Sequence, residues 1–158
     1  MNRSGFLERL KSGQTLVSDG ATGTNLQQRG LAAGKPGELW LVERPEEILR
    51  LHKEFVAAGS DIILTCTFGG TRLRLDASGL ADRFEEVNQK AVKIAQEMTR
   101  GTDVLVAGSI GPTGHMLAPL GTLNEEDAEA DFQAQAKLLV EAGVDLLVIE
   151  TQFDLAEA

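Results

Sequence analysis

Two carboxylates, Asp19 and Glu150, each follow directly on a short apolar run, Thr15-Leu16-Val17-Ser18 in one case and Leu146-Leu147-Val148-Ile149 in the other. A carboxylate at the end of a buried strand is costly unless it is paired or hydrogen-bonded. Two of them facing one cavity would suit the ammonium group of a substrate. The plainer readings are a turn or helix cap for Asp19 and a hydrogen bond to a neighbouring loop for Glu150. Cys66, the sole cysteine, could be a nucleophile or metal ligand, but a lone strand-end cysteine reads first as a small buried hydrophobe. His52 falls on a helix and reads as solvated or locally bonded. His115 follows a glycine-rich loop and could touch a ligand. Arg72 and Arg74 flank the loop after Cys66 and read as a solvated face.

These residues sit in unusual loops. Asp19-Gly20-Ala21-Thr22-Gly23-Thr24-Asn25 follows the first apolar run, and Thr65-Cys66-Thr67-Phe68-Gly69-Gly70-Thr71 the second. Gly108-Ser109-Ile110-Gly111-Pro112-Thr113-Gly114 and Glu150-Thr151-Gln152-Phe153-Asp154 follow the third and fourth. Small residues let a backbone approach a ligand closely and expose its N–H groups. No Gly-Lys-Ser/Thr follows a glycine loop, which removes a P-loop, and Asp19 to Asn25 is not a dinucleotide fingerprint. A phosphate-binding barrel stays open at this point.

The elements that must carry the loops alternate between strand and helix. Strands are predicted near 15–19, 61–66, 103–109 and 145–150, about 42 residues apart. Their apolar runs do not alternate with polar residues, as in parallel sheets covered on both faces. A first helix is predicted from Phe6 to Lys11, capped by Ser4. A second opens at Pro45 with Glu46 and Glu47 on the positive end of its dipole, and Gly59 ends it. Phe84, Val87, Ala91, Ile94 and Met98 mark a third by their helical spacing. A fourth starts after Asn124 as N-cap, and Asp154 to Ala158 looks like the first turn of a fifth. Pro36 to Trp40 reads as loop, with Trp40 packed over one end of the fold. Ala58-Gly59-Ser60-Asp61-Ile62-Ile63 is echoed by Ala142-Gly143-Val144-Asp145-Leu146-Leu147, an offset of two strand–helix units. Repeated βαβ units build a barrel or a doubly wound sheet, and in both the ligands sit at the carboxyl ends of the strands. Asp19 and Glu150 should therefore converge on one cavity there.

The bulk properties narrow the partners. The 158 residues carry a formal net charge of -9 with no Lys/Arg run, so a nucleic-acid partner is not expected. At 42% hydrophobic and 25% charged residues the composition is ordinary, and no apolar run reaches the roughly 18 residues of a membrane span. A single cysteine and the lack of an apolar leader make the cytoplasm the default expectation.

The ordered set of motifs resembles the homocysteine-binding domain of the homocysteine S-methyltransferase family. It consists of Asp19-Gly20-Ala21-Thr22-Gly23-Thr24, Glu38-Leu39-Trp40, Ala58 to Thr65, Thr67-Phe68-Gly69, Gly108 to Gly114 and Glu150-Thr151. The resemblance implies an α/β fold, the N-terminal half (four βα units) of a TIM (β/α)8 barrel, with residues 1–158 one domain truncated after strand four. It implies methyl transfer to the thiol of L-homocysteine, giving methionine, on a Zn²⁺ held by three cysteines that lowers the thiol's pKa. Asp19 and Glu150 would hold the amino-acid end of homocysteine, and backbone N–H groups near Ala21 and Thr22 its carboxylate. Gly20, Thr67 and Thr151 complete the implied substrate-binding set.

The departure from the family pattern lies in the metal. The family's zinc cysteines fall in the second half of the barrel, and Cys66 matches none of them. No catalytic zinc is therefore expected in this chain by itself, and the truncated chain is expected to be inactive. Four βα units cannot close a barrel, so open strand edges should favour self-association. Betaine, methylfolate, methylcobalamin and S-methylmethionine all fit as methyl donor, with the short single-module form leaning toward the betaine-like branch. The other readings are a noncatalytic half-barrel binding module and an unrelated phosphate-binding barrel enzyme.

Overall fold

A computed structural model describes residues 3–158. Seven α-helices and three strands follow in the order α1 (Arg3–Lys11), α2 (Thr22–Gln28), α3 (Glu38–Glu43), α4 (Pro45–Ala57), β1 (Ile62–Leu64), α5 (Arg72–Asp76), α6 (Phe84–Thr99), β2 (Leu105–Ile110), α7 (Glu125–Ala142) and β3 (Leu146–Ile149). A 3-10 turn, Ala81–Arg83, leads into α6. The strands form one parallel sheet in the order β1-β2-β3. Ile63 pairs with Val106, and Gly108 with Leu147.

The helices form where their sequences require. Pro45 opens α4 with Glu46 and Glu47 in its first turn, and Ile48, Leu51 and His52 are its buried residues. Asn124 caps α7 by accepting the Asp127 N–H at 2.7 Å. Gly143 closes α7 in the left-handed region at φ 96°, a conformation that costs a residue with Cβ more than it costs glycine. Helices α4, α6 and α7 pack on one face of the sheet around Ile63, Val92, Val106 and Leu139. The other face gathers Ile62, Leu105 and Ala107 with Leu16, Leu64, Leu146 and Val148. The central strand β2 is buried throughout. On β3 burial alternates, leaving Leu147 at 36% and Ile149 at 59% exposure.

Four sequence expectations need correction. The strand predicted near 15–19 is reduced to a single parallel bridge, Ser18 to Ile62. The physical reason is that carboxylates replace backbone partners at both ends. Asp61 Oδ2 accepts the Val17 N–H at 2.9 Å, and both oxygens of Asp19 accept the Leu64 N–H at 3.1 Å. The segments read as loop after Asp19 and around Pro36–Trp40 contain α2 and α3, whose Leu26, Trp40 and Leu41 join a large cluster with Ile48, Leu51 and Phe84. Ser4 lies inside α1 rather than at its cap. His52 is not solvated: it is 1% exposed, inside the helix layer. At the other end, Asp154 to Glu157 forms a hydrogen-bonded turn.

The internal echo has a structural meaning. Asp145 Oδ2 accepts the Val106 N–H at 2.9 Å, the same service that Asp61 performs for Val17. In each copy the aspartate before a strand ties down the neighbouring strand's first free donor.

The loop after β1 is anchored from behind by polar residues of the helices. Gln135 Nε2 donates to the Thr67 carbonyl at 2.8 Å, and Asn88 Nδ2 to the Gly70 carbonyl at 2.8 Å. Asp131 accepts the Arg72 and Leu73 N–H groups, each at 2.9 Å. A Cβ on Gly70 would lie 2.5 Å from Gln135 Nε2 and 2.7 Å from Asn88 Oδ1. Gly70→Ala should therefore destabilise the chain by about 1–3 kcal/mol, the usual cost of overpacking. Urea denaturation is the check, and an unchanged midpoint would mean the anchor yields freely.

Candidate functional site

At the carboxyl end of the sheet the loops surround a cavity of about 620 Å³. Asp19, Gly20, Ala21, Thr22 and Glu150 all line it. Thr67 and Thr151 do not. Thr67 is fully buried beneath the floor, and Thr151 lies on the exposed turn after Glu150, with its backbone in the left-handed region at φ 61°.

A chain of hydrogen bonds across three strand ends positions Glu150. Thr67 Oγ1 donates to the Ser109 carbonyl at 2.7 Å and lies 2.6 Å from Thr65 Oγ1. Thr65 Oγ1 accepts the Ser109 N–H at 3.2 Å, and Ser109 Oγ donates to Glu150 Oε1 at 2.6 Å. Thr67 thus acts on the cavity from below, by fixing the residues that fix the carboxylate. Phe68 lies against Gly111, where a Cβ would come within 2.6 Å of its ring.

The electrostatics of the floor are unfavourable in the absence of a cation. Burial raises the Asp19 carboxyl to about 6, against the pull of the Leu64 N–H, and the negative charge of Glu150 pushes it the same way. Neither acid has an ion-pair partner among the described residues. An incoming ammonium would relieve both effects.

The opposite wall comes from α3 and the loop after β1. Glu38 is 4% exposed, and its Oε1 accepts the Gly69 N–H at 2.6 Å. Burial pushes the Glu38 carboxyl up, against the pull of its own N–H, of the Gly69 N–H and, least, of the Arg74 guanidinium. Cys66 is buried beside it, and burial, then the Glu38 charge, raises its thiol well above the usual range. Burial thus disfavours the thiolate, and Cys66 packs as a small buried hydrophobe. Among the described residues no three His, Cys, Asp or Glu side chains are placed to hold a metal ion. The residues present therefore do not fit the zinc that the resemblance implies. His115 is exposed and outside the cavity lining, and His52 lies in the helix layer.

Sequence reasoning did not assign roles to Glu38, Ser109, Lys35 or Arg74, all of which line the cavity. Ser109 carried a usable signal, a polar residue inside a fully buried strand. Glu38 opens an otherwise apolar helical turn, Leu39-Trp40-Leu41-Val42, which a loop reading conceals.

Comparison with known proteins places these features. The profile described as homocysteine S-methyltransferase matches residues 16–158, and the chain belongs to that family. It is similar to betaine–homocysteine S-methyltransferase 1 of Bos taurus, 33% identical over 156 residues, which cover 94% of this chain and 37% of that protein. It is 34% identical over 154 residues to S-methylmethionine–homocysteine S-methyltransferase BHMT2 of Mus musculus, covering 94% of this chain and 39% of that one. The chain spans well under half the length of these relatives. Its fold superposes on the metallated form of the homocysteine methyltransferase MmuM of Escherichia coli with a TM-score of 0.78 at 30% identity, over 96% of this chain and 59% of that one. The architecture is thus the N-terminal part of a TIM-barrel homocysteine methyltransferase, an open arc of parallel strands rather than a closed barrel. Among the described residues no helix is long and apolar enough to cross a membrane.

Proposed function

We propose that this chain binds the amino-acid end of L-homocysteine and so supplies one half of a homocysteine S-methyltransferase site. The activity of the whole protein on this reading is methyl transfer to the homocysteine thiol, giving methionine. The observation that carries it is the pair Asp19 and Glu150, two carboxylates on one cavity with no cation between them. An α-ammonium group placed there gains two charge-assisted hydrogen bonds. Gly20, Ala21 and Thr22 stand beside Asp19 on the same wall, where small side chains leave backbone N–H groups open to the substrate carboxylate. Thr67 orients Glu150 through Thr65 and Ser109, and Thr151 sets the turn that carries the chain away from the site. Zinc belongs to this reading as the metal of the whole protein, where it would make the thiol a better nucleophile. No ligand set for it exists among the described residues.

Calorimetric titration with L-homocysteine tests the reading. Glu150→Gln should weaken binding roughly 10- to 100-fold, the worth of a hydrogen bond to a charged group. An analogue lacking the amino group, 4-mercaptobutyrate, should bind both proteins alike. Wild-type chain that takes no homocysteine, or a variant that takes it equally well, would sink the proposal.

A further inference from the structure

The segment that begins at Glu150 carries a second acid, Glu157, which is 7% exposed. Its Oε1 accepts the Thr113 N–H at 2.7 Å and the Thr113 hydroxyl at 2.6 Å. Thr113 is fully buried, in the loop after β2. Its one hydroxyl proton goes to the carboxylate, and its oxygen accepts the His115 N–H at 3.2 Å. Asp154 holds the turn that presents Glu157: its carbonyl accepts the Glu157 N–H at 3.2 Å and its Oδ1 the Ala156 N–H at 3.0 Å. The other oxygen of Glu157, Oε2, is buried without a partner, and the residue has no ion pair among the described residues. A buried carboxylate satisfied at one oxygen costs stability, so stability alone does not account for it.

The loop that Glu157 fastens lies directly behind one wall of the cavity. Gly111 donates its N–H to the Phe68 carbonyl at 2.9 Å, and a Cβ on Gly111 would come within 2.6 Å of the Phe68 ring. Arg74 is threaded past two glycines. Its Cγ lies 3.0 Å from where a Cβ on Gly69 would sit, and its Nη1 takes the place that a Cβ on Gly114 would need. Gly114, next to Thr113, stands at φ 80°, where a side chain is disfavoured in any case. Phe68, Gly69 and Arg74 line the cavity, whereas Gly111, Thr113 and Gly114 do not. The helices fasten the loop after β1 at Thr67, Gly70, Arg72 and Leu73, which leaves the Phe68 carbonyl and the Arg74 guanidinium to the loop after β2.

We propose that Glu157 is a positioning residue for the cavity: through Thr113 it seats the loop after β2 behind Phe68 and Arg74, and so fixes the wall opposite Asp19 and Glu150. This rests on reading the cavity as a homocysteine site. One short segment then sets both sides of it, the strand ends directly through Glu150 and the opposite wall indirectly through Glu157.

The test combines backbone amide hydrogen exchange with calorimetric titration of L-homocysteine, both on the full 158-residue chain. Glu157→Ala should speed exchange at Gly69 and Gly111 as well as at Thr113 and His115. Thr65 and Leu105, whose N–H groups bond within the sheet, should be unchanged. In the same variant homocysteine should bind roughly 3- to 10-fold more weakly, the worth of one ordinary hydrogen bond. Thr113→Val, which keeps the backbone bond to Glu157, should act in the same direction to a smaller extent, and it carries the test if Glu157→Ala does not fold. Thr113→Ser, which keeps both bonds, should match wild type. Faster exchange confined to Thr113 and His115, with homocysteine affinity unchanged, makes Glu157 a local tether and overturns the proposal. Equal acceleration at every one of these amides, Thr65 and Leu105 included, is loss of global stability and overturns it too. A wild-type chain that takes no homocysteine overturns the reading of the cavity, and exchange at Gly69 and Gly111 then decides the role of Glu157 by itself.

Discussion

Lowering the pH from 7 to 4 should remove about 3 kcal/mol of folding stability through one side chain, His52. The imidazole is 1% exposed, and neither ring nitrogen has a hydrogen-bond partner. Burial lowers its pKa from 6.5 to about 4, because the charged form would lose its hydration without a compensating partner. The unfolded chain takes up the proton near 6.5, while the folded chain resists it until about 4. The contribution is fully present above 6.5 and is lost as the pH falls through the folded value. Asp19 acts in the opposite sense, since its raised pKa means stability is lost as pH rises through about 6. Comparison with His52→Leu separates the two. Urea melts at pH 7 and pH 4.5 should show wild type losing more stability than the variant over that interval. Equal losses would place the histidine proton elsewhere. At pH 7 the substitution should be neutral or stabilising, as it removes two buried nitrogens that lack partners.

If Asp19 meets the ammonium as proposed, homocysteine affinity should fall about tenfold per pH unit below about 6, as its carboxyl takes up a proton. The free Asp19 carboxyl titrates near 6, so at neutral pH it is ionised and ready for a cation, and in mild acid it is not. Asp19→Asn should flatten this profile and weaken binding at pH 7 roughly 10- to 100-fold. The same variant should be more stable than wild type at neutral pH, because it removes a half-buried negative charge while its side-chain oxygen can still accept the Leu64 N–H. Loss of binding together with a gain in stability separates a ligand contact from damage to the fold. A wild-type affinity that stays level from pH 7.5 to 4.5 would detach Asp19 from the ammonium.

Strands β2 and β3, and the helices that precede them, are legible in the sequence because unbroken apolar runs and helical spacing mark them locally. Leu105 to Ala107 and Leu146 to Ile149 are apolar runs, and α6 repeats its apolar residues at helical spacing. Pro45, Asn124 and Gly143 mark helix ends by local chemistry that needs no tertiary context. The first strand is less legible. Part of its pairing with β1 runs through the side chains of Asp61 and Asp19, and an aspartate reads the same whether it caps a turn or accepts a strand N–H. Helices α2, α3 and α5 are short, and what holds them is packing of Leu26, Trp40, Leu41 and Leu75, residues distant in sequence from their partners. In the site, Asp19 and Glu150 announce themselves as charges beside apolar runs. Arg74 does not, because a guanidinium on a solvated helix and one threaded past two glycines have the same sequence neighbourhood.

The loop after β1 has separate front and back faces. Its back is fastened by Asn88, Asp131 and Gln135, which touch backbone atoms of Thr67, Gly70, Arg72 and Leu73, so the fastening does not depend on which side chains the front displays. The side chains shown on the front and the bonds that fasten the back are thus carried by different atoms. The face that the loop turns to the cavity can therefore vary in evolution or design while the backbone beneath it keeps its place.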